Sequence, residues 1–218
     1  MFPGHRRAAI SFTFDDGSQS HVDVALPMFE DLGFKATFFV IAGLTRDRKS
    51  DPLPAGRSHE WWAEVSWEAW RETARCGHEI GNHSLTHPVL SRIRDHRKLE
   101  NEIVDSARLI GEKLGQRPVS FAYPYNKSNA RVRQLVLQHH DAVREHRARY
   151  GGRGFTAAKA NRLVDRAIRR GGWLVAMIHG IGGGFDPLDP VVLRQHLQYI
   201  KDRESELWVD TFGNVSRL

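Results

Sequence analysis

The sequence predicts an α/β protein built as a closed or partly closed (β/α) barrel. About seven short apolar segments alternate with amphipathic helical ones, the pattern of parallel strands joined by helical crossovers. Polar residues able to carry chemistry cluster just after at least three of these strands, as on the C-terminal face of a barrel. No glycine-rich dinucleotide or phosphate loop follows the first strand, so an open nucleotide-binding sheet is not expected.

Each element has its own signal. The first strand runs through Ala8-Ala9-Ile10-Ser11-Phe12-Thr13 to Phe14, with Ile10, Phe12 and Phe14 on one face and Ser11, Thr13 and Asp15 on the other. A helix near Val22–Leu32 leads to a strand at Lys35–Ile41. A polar segment from Gly43 to about Ser66 carries Trp61-Trp62 and is long for a connection, which suits a functional segment or an insertion. A helix near Trp67–Cys76 precedes the short strand Glu79-Ile80-Gly81. A longer helix over Arg97–Leu114 stops at Gly115, with Pro118 beyond it. There follow a strand at Val119–Ala122, a helix at Ala130–Gln138, a short strand at Ala142–Arg144 and a helix at Lys159–Arg170. The most apolar strand, Trp173–Ile178, a helix near Val191–Arg203 and a strand at Leu207–Phe212 complete the chain.

With 218 residues, 40% hydrophobic and 27% charged, the chain suits one domain with a sizeable core. No apolar run approaches the ~20 residues of a membrane span. The start, Met1-Phe2-Pro3-Gly4-His5-Arg6-Arg7, leads directly into the first strand, so the chain as it stands is expected in the cytoplasm, and secreted or periplasmic if a leader has been removed. Cys76 is the only cysteine, which excludes an intrachain disulfide. The net charge of +6 comes largely from arginines scattered over helical faces. No nucleic-acid reading motif accompanies it, and no nucleic-acid partner is expected.

Asp15-Asp16, at the end of the first strand, is the most informative pair. Two adjacent carboxylates are costly to bury unless positive charge sits beside them. His83 and His87, four residues apart and just past another strand, can bind one metal from a single turn. Asp16, His83 and His87 form the three-ligand set of a catalytic zinc site that leaves a position for water. The same set suits cobalt, nickel or manganese, so a divalent metal is expected and Zn2+ is its first candidate. His179 follows the most apolar strand and precedes the glycine-rich Gly180-Ile181-Gly182-Gly183-Gly184; Phe121-Ala122-Tyr123-Pro124-Tyr125 closes another strand.

In order, Thr13-Phe14-Asp15-Asp16-Gly17, His83-Ser84-Leu85-Thr86-His87, Tyr123-Pro124-Tyr125 and Met177-Ile178-His179 resemble the motifs of polysaccharide deacetylases, the NodB-like group of carbohydrate esterase family 4. The resemblance spans Thr13 to Gly213 and implies a distorted (β/α)7 barrel, TIM-barrel-like, that removes N- or O-acetyl groups from carbohydrate with a metal. It also implies roles. Asp16, His83 and His87 would be ligands, Asp15 the general base and His179 the general acid. The Tyr125 N–H would stabilise the oxyanion. Met177 would line the acetyl-methyl pocket, where the family usually has leucine, and Tyr123 and Pro124 would belong to the substrate-binding wall.

One departure stands out. The family often places an arginine two residues before the motif's proline, paired with the catalytic aspartate, and here that position is Ala122. Charge complementarity nominates Arg144, at the end of the next strand, as the replacement partner of Asp15. The family's Asp-Asp-Trp-like segment is not recognisable around residues 144–155. Trp61 and Trp62 fit either a sugar-stacking platform or a cover on the barrel rim. His21 is close to the aspartate pair, and the remaining histidines read as surface or structural.

The function expected is a metal-dependent deacetylase acting on an N-acetylglucosamine-containing polysaccharide or oligosaccharide. Acetyl-xylan esterase, a hydrolase of small cyclic amides or ureides, and a non-catalytic glycan-binding pseudoenzyme are the alternatives. The presence of Asp15 and His179 argues against the last, since a binding module needs neither.

Overall fold

The computed structural model describes residues 1–52 and 62–218. Among them are eight strands: β1 (Ala8–Asp15), β2 (Thr37–Val40), β3 (Glu79–Asn82), β4 (Ser120–Ala122), β5 (Ala142–Arg144), β6 (Ala148–Arg149), β7 (Trp173–Ile178) and β8 (Leu207–Val209). The helices are α1 (Leu26–Asp31), α2 (Trp67–Arg75), α3 (His96–Glu100), α4 (Ser106–Leu114), α5 (Ala130–His139), α6 (Ala157–Arg170), α7 (Pro190–Lys201) and α8 (Phe212–Ser216). The chain divides into two compact units.

One unit comprises Met1–Phe14, Ser20–Thr37 and His146–Leu218. Its strands lie in the order β8-β1-β7-β6, and β1 runs parallel to both β8 and β7. Every residue of β1 is buried. The alternation expected from the sequence is therefore not a core face and a solvent face: both sides are covered, as in parallel sheets generally. The polar side is satisfied internally. The Thr13 hydroxyl donates to the Ala176 carbonyl at 2.8 Å, and the Trp173 indole N–H donates to Ser11 Oγ at 3.0 Å. On the apolar side Phe12 and Phe14 meet Phe29 edge-on, with ring centroids 5.0 and 5.7 Å apart. Helix α6 turns Ala160, Val164 and Ile168 inward and keeps most of its arginines in water; it ends at Gly171, whose φ of 67° is open to glycine without strain.

The other unit comprises Asp15–Gln19 and Phe38–Glu145, with strand order β5-β4-β3-β2. Strands β3, β4 and β5 are parallel, and Ala122 lies opposite Arg144 in register. Phe121 and Tyr123 pack with Leu90, Leu99, Ile103 and Val136 into a buried core. Glycine is required at Gly81 in β3, because a Cβ there would come within 2.6 Å of the Phe39 ring and 2.8 Å of Ser120 Oγ.

The long helix expected over Arg97–Leu114 is present but not uniform. Asp95 caps α3 by accepting from the Lys98 N–H at 3.2 Å, a wide π-type turn spans Asn101–Asp105, and α4 then runs to Gly115. The closing strand is shorter than expected. It ends at Val209, because Thr211 accepts from the Asn214 N–H at 3.2 Å and starts α8 instead. The two-residue β6 carried no readable periodicity in the sequence.

Candidate metal centre and its acid–base groups

The aspartate pair sits where β1 breaks into a tight turn. Asp16 and Gly17 have φ of 73° and 69°, and their carbonyls accept from Ala63 N–H at 2.7 Å and Val65 N–H at 3.2 Å. Holding a non-glycine residue in the left-handed region costs about 1–3 kcal/mol, a strain that recurs at functional sites. The consequence is that Asp15 and Asp16 turn to different partners.

Asp15 is 2% exposed and is gripped by Arg144, itself 1% exposed. The guanidinium forms a two-pronged bond, Nη1 to Oδ1 at 2.5 Å and Nη2 to Oδ2 at 2.6 Å, and lies 4.9 Å from the centre of the Phe39 ring. The sequence comparison of Ala122 with Arg144 therefore has a structural counterpart. The two residues are register neighbours on adjacent strands, and the arginine that reaches the aspartate comes from β5 rather than β4.

Asp16 turns to the histidines. Its Oδ1 is buried and makes no hydrogen bond among the described residues, yet His83 Nε2 lies 3.4 Å away and His87 Nε2 3.3 Å away. The two Nε2 atoms are 3.2 Å apart. For a tetrahedral ion held at about 2.05 Å, neighbouring donors stand roughly 3.3–3.4 Å apart. The three donors thus have the mutual spacing of a zinc-type site. His83 also shows the outer bond typical of a metal-binding imidazole: its Nδ1–H faces the Ala122 carbonyl at 2.8 Å, which leaves Nε2 free to act as a ligand.

Electrostatics agree with a site built for positive charge. Burial would push the Asp16 carboxyl up, but the close approach of the His83 and His87 imidazoles outweighs it and holds the group well below the usual carboxylate range. For His83, burial opposes charging but the adjacent Asp16 and Asp15 carboxylates win, so its pKa is raised. For His87 burial wins over the attraction of Asp16, and proximity to His83 adds to it, so its pKa is lowered.

The histidine loop is shaped by residues the sequence reading did not single out. Asn82 Oδ1 accepts from the Ser84 N–H at 3.0 Å, and Ser84 Oγ accepts from the His87 N–H at 2.9 Å. Ser84 and His87 both take positive φ, 68° and 64°. Asn82 is in turn held by Ser106 Oγ at 2.8 Å and His140 Nε2 at 3.1 Å. These are side-chain to backbone turns, which an HSxxH string can suggest only in part.

The other expected site residues are placed as follows. Tyr125 has a φ of 57°, is 50% exposed, and sets its ring 4.8 Å from that of His87. Pro124, which starts the same turn, is buried. Tyr123, expected on the substrate wall, instead turns its ring into the core beside Phe121; burial pushes its hydroxyl up to about 12. The cause is strand alternation: β4 sends alternate side chains to opposite faces, and Tyr123 shares the inward face with Phe121. Trp62 is buried against Ile41, Leu44 and Ala63, with its ring 4.4 Å from His87, so it walls that imidazole rather than offering an open face. Trp61 lies outside the described residues.

In the other unit, Met177 is buried on β7, and His179 follows that strand. The His179 carbonyl meets Nε2 of His21, which is fully buried, and the His179 ring stands edge-on to exposed Phe185 at 5.1 Å.

The polysaccharide deacetylase family model matches residues 4–141, more than half of the chain. The chain belongs to the polysaccharide deacetylase family. It is 30% identical over 116 residues to a peptidoglycan-N-acetylglucosamine deacetylase of Bacillus cereus, covering 53% of this chain and 45% of that one. It is 29% identical over 124 residues to a chitooligosaccharide deacetylase of Rhizobium leguminosarum bv. trifolii, covering 56% of this chain and 49% of that one. The chain spans under half the length of these curated relatives. Among solved structures, peptidoglycan deacetylase PdaC from Bacillus subtilis matches with a TM-score of 0.70 at 18% identity, covering 99% of this chain and 93% of that one. The fold is that of these deacetylases, the distorted (β/α)7 barrel.

Proposed function

We propose that this chain removes acetyl groups from carbohydrate, acting on an N-acetylglucosamine-containing polysaccharide or oligosaccharide with a divalent cation held by Asp16, His83 and His87. The observation that carries the reading is the buried Asp16 Oδ1, without a hydrogen bond among the described residues and faced by two imidazole Nε2 atoms at 3.3 and 3.4 Å. The names of two relatives support the substrate class, since peptidoglycan N-acetylglucosamine and chitooligosaccharide share the same acetylated sugar.

A divalent cation bound there supplies Lewis acidity and brings the pKa of water toward about 7. The rest falls to the chain. Asp15, kept ionised by Arg144, takes the proton of the attacking water as its oxygen bonds to the acetyl carbon. The Tyr125 N–H holds the carbonyl oxygen as it becomes negative; removing one such donor in related acyl chemistry costs on the order of 10²-fold. His179 is assigned the proton that the departing sugar nitrogen needs, so that acetate and a free amine leave. Trp62 keeps water from the flank of His87.

The test is acetate release from chitooligosaccharides and from acetyl-xylan, with and without chelator. Release from chitooligosaccharide that chelator abolishes and zinc restores is expected. Release from acetyl-xylan alone would make the activity an O-acetyl esterase. No release from either by metal-loaded protein would overturn the deacetylase reading and turn attention to cyclic amides or to glycan binding.

A further inference from the structure

The loop between the two histidines is held by a residue that belongs to none of the motifs. Glu102 lies in the wide turn Asn101–Asp105 between α3 and α4 and is buried. Its Oε2 accepts from the Leu85 N–H at 3.0 Å and the Thr86 N–H at 2.9 Å, and its Oε1 from the Thr86 hydroxyl at 2.5 Å. Its main-chain carbonyl also faces the Leu85 N–H, at 3.1 Å. Across the loop, the Ala42 and Gly43 N–H groups donate to the Ser84 and Leu85 carbonyls at 3.0 and 2.9 Å.

This clamp has a job to do. Ser84 and His87 stand in left-handed backbone conformations that a free loop would leave, and His87 must keep its Nε2 beside that of His83. A π-type turn widens a helix locally and recurs at functional sites, where it re-aims a side chain that a regular helix would direct elsewhere.

We propose that Glu102 is a positioning residue for the metal centre, setting the Ser84–His87 loop so that both histidines face Asp16. This rests on the reading of Asp16, His83 and His87 as metal ligands. Glu102 acts here as an acceptor rather than as a charge. Glutamine in its place can accept from both N–H groups through its oxygen and give its NH2 to the Thr86 hydroxyl oxygen. Methionine, similar in length, can do neither.

Zinc affinity of the full chain, measured by competition with a chromophoric chelator and with far-UV circular dichroism on the same samples, tests this. Loss of an outer partner of a metal ligand typically costs 10–100-fold in affinity. Glu102→Met should bind zinc at least ~10-fold more weakly and alter the visible spectrum of the cobalt form, whereas Glu102→Gln should stay within ~3-fold of wild type. A folded Glu102→Met that binds as wild type, or a Glu102→Gln as weak as Glu102→Met, overturns the proposal. Should Glu102→Met not fold, Thr86→Val decides. Thr86 is exposed, and its variant loses one donor to Glu102; circular dichroism like that of wild type and an affinity ~3-fold lower are expected. Affinity equal to wild type refutes the clamp. Wild-type protein that binds no zinc removes the metal reading and this inference together, whereas zinc-binding wild type with indifferent variants removes only this inference.

Discussion

Replacing Arg144 with methionine isolates the physics of the buried pair. Both partners are almost fully excluded from water and joined by two bonds of 2.5 and 2.6 Å. Methionine keeps much of the apolar stem but leaves the Asp15 carboxylate without its cation. Breaking a buried pair from one side costs roughly 3–5 kcal/mol. Protonation sets a ceiling on that figure. A carboxyl with an unfolded pKa of about 3.9 can be neutralised at pH 7 for roughly 4 kcal/mol, and each lower pH unit reduces this by about 1.4 kcal/mol. In the variant, folded Asp15 holds a proton that the unfolded chain releases above its own pKa, so the variant regains stability as pH falls. Urea unfolding of both proteins in chelator should therefore show a stability gap of roughly 3–4 kcal/mol at pH 7 that shrinks to roughly 1.5 kcal/mol at pH 5. Asp15→Asn in the Arg144→Met background should recover much of the gap at pH 7, and Arg144→Met alone should lose most turnover because its base is neutral. A gap that is the same at both pH values, or near-normal turnover, would refute the role given to Arg144.

Other predictions probe separate parts of the molecule. Asp15→Asn should retain metal while losing most turnover, and His83→Ala should lose metal, as inductively coupled plasma analysis of dialysed protein would report. His140 is buried with its pKa lowered to about 4, Nδ1 facing the Val136 carbonyl at 3.2 Å and Nε2 facing Asn82. Because the unfolded chain binds its proton near 6.5, the stability tied to neutral His140, up to roughly 3 kcal/mol, is present above pH 6.5 and is lost as pH falls toward 4. Thermal melts of His140→Gln should show a flatter acid limb than wild type. Gly81→Ala should lower stability by about 1–3 kcal/mol in urea, since its methyl overlaps the Phe39 ring and Ser120.

In this chain Asp15 is held by an arginine from β5, the strand next to β4. Adjacent parallel strands place Ala122 and Arg144 side by side, and the long side chain from β5 reaches the Asp15 carboxylate. A short residue at 122 is compatible with that crossing, since the Ala122 carbonyl still receives the His83 ring.

Much was readable from the chain of letters alone. Alternating strand and helix signals, Gly115 after a helix, the aspartate pair and the HxxxH spacing all depend on neighbours within a few residues, where local sterics and hydrogen bonding decide the outcome. Tertiary structure decided what depends on distant partners. It brought Arg144 to Asp15 across 129 positions, set Glu102 beneath the histidine loop, and sent Tyr123 inward with Phe121 while closing both faces of β1. Those outcomes follow from strand register and a widened helical turn, which align residues far apart in the chain and leave no periodic trace in it.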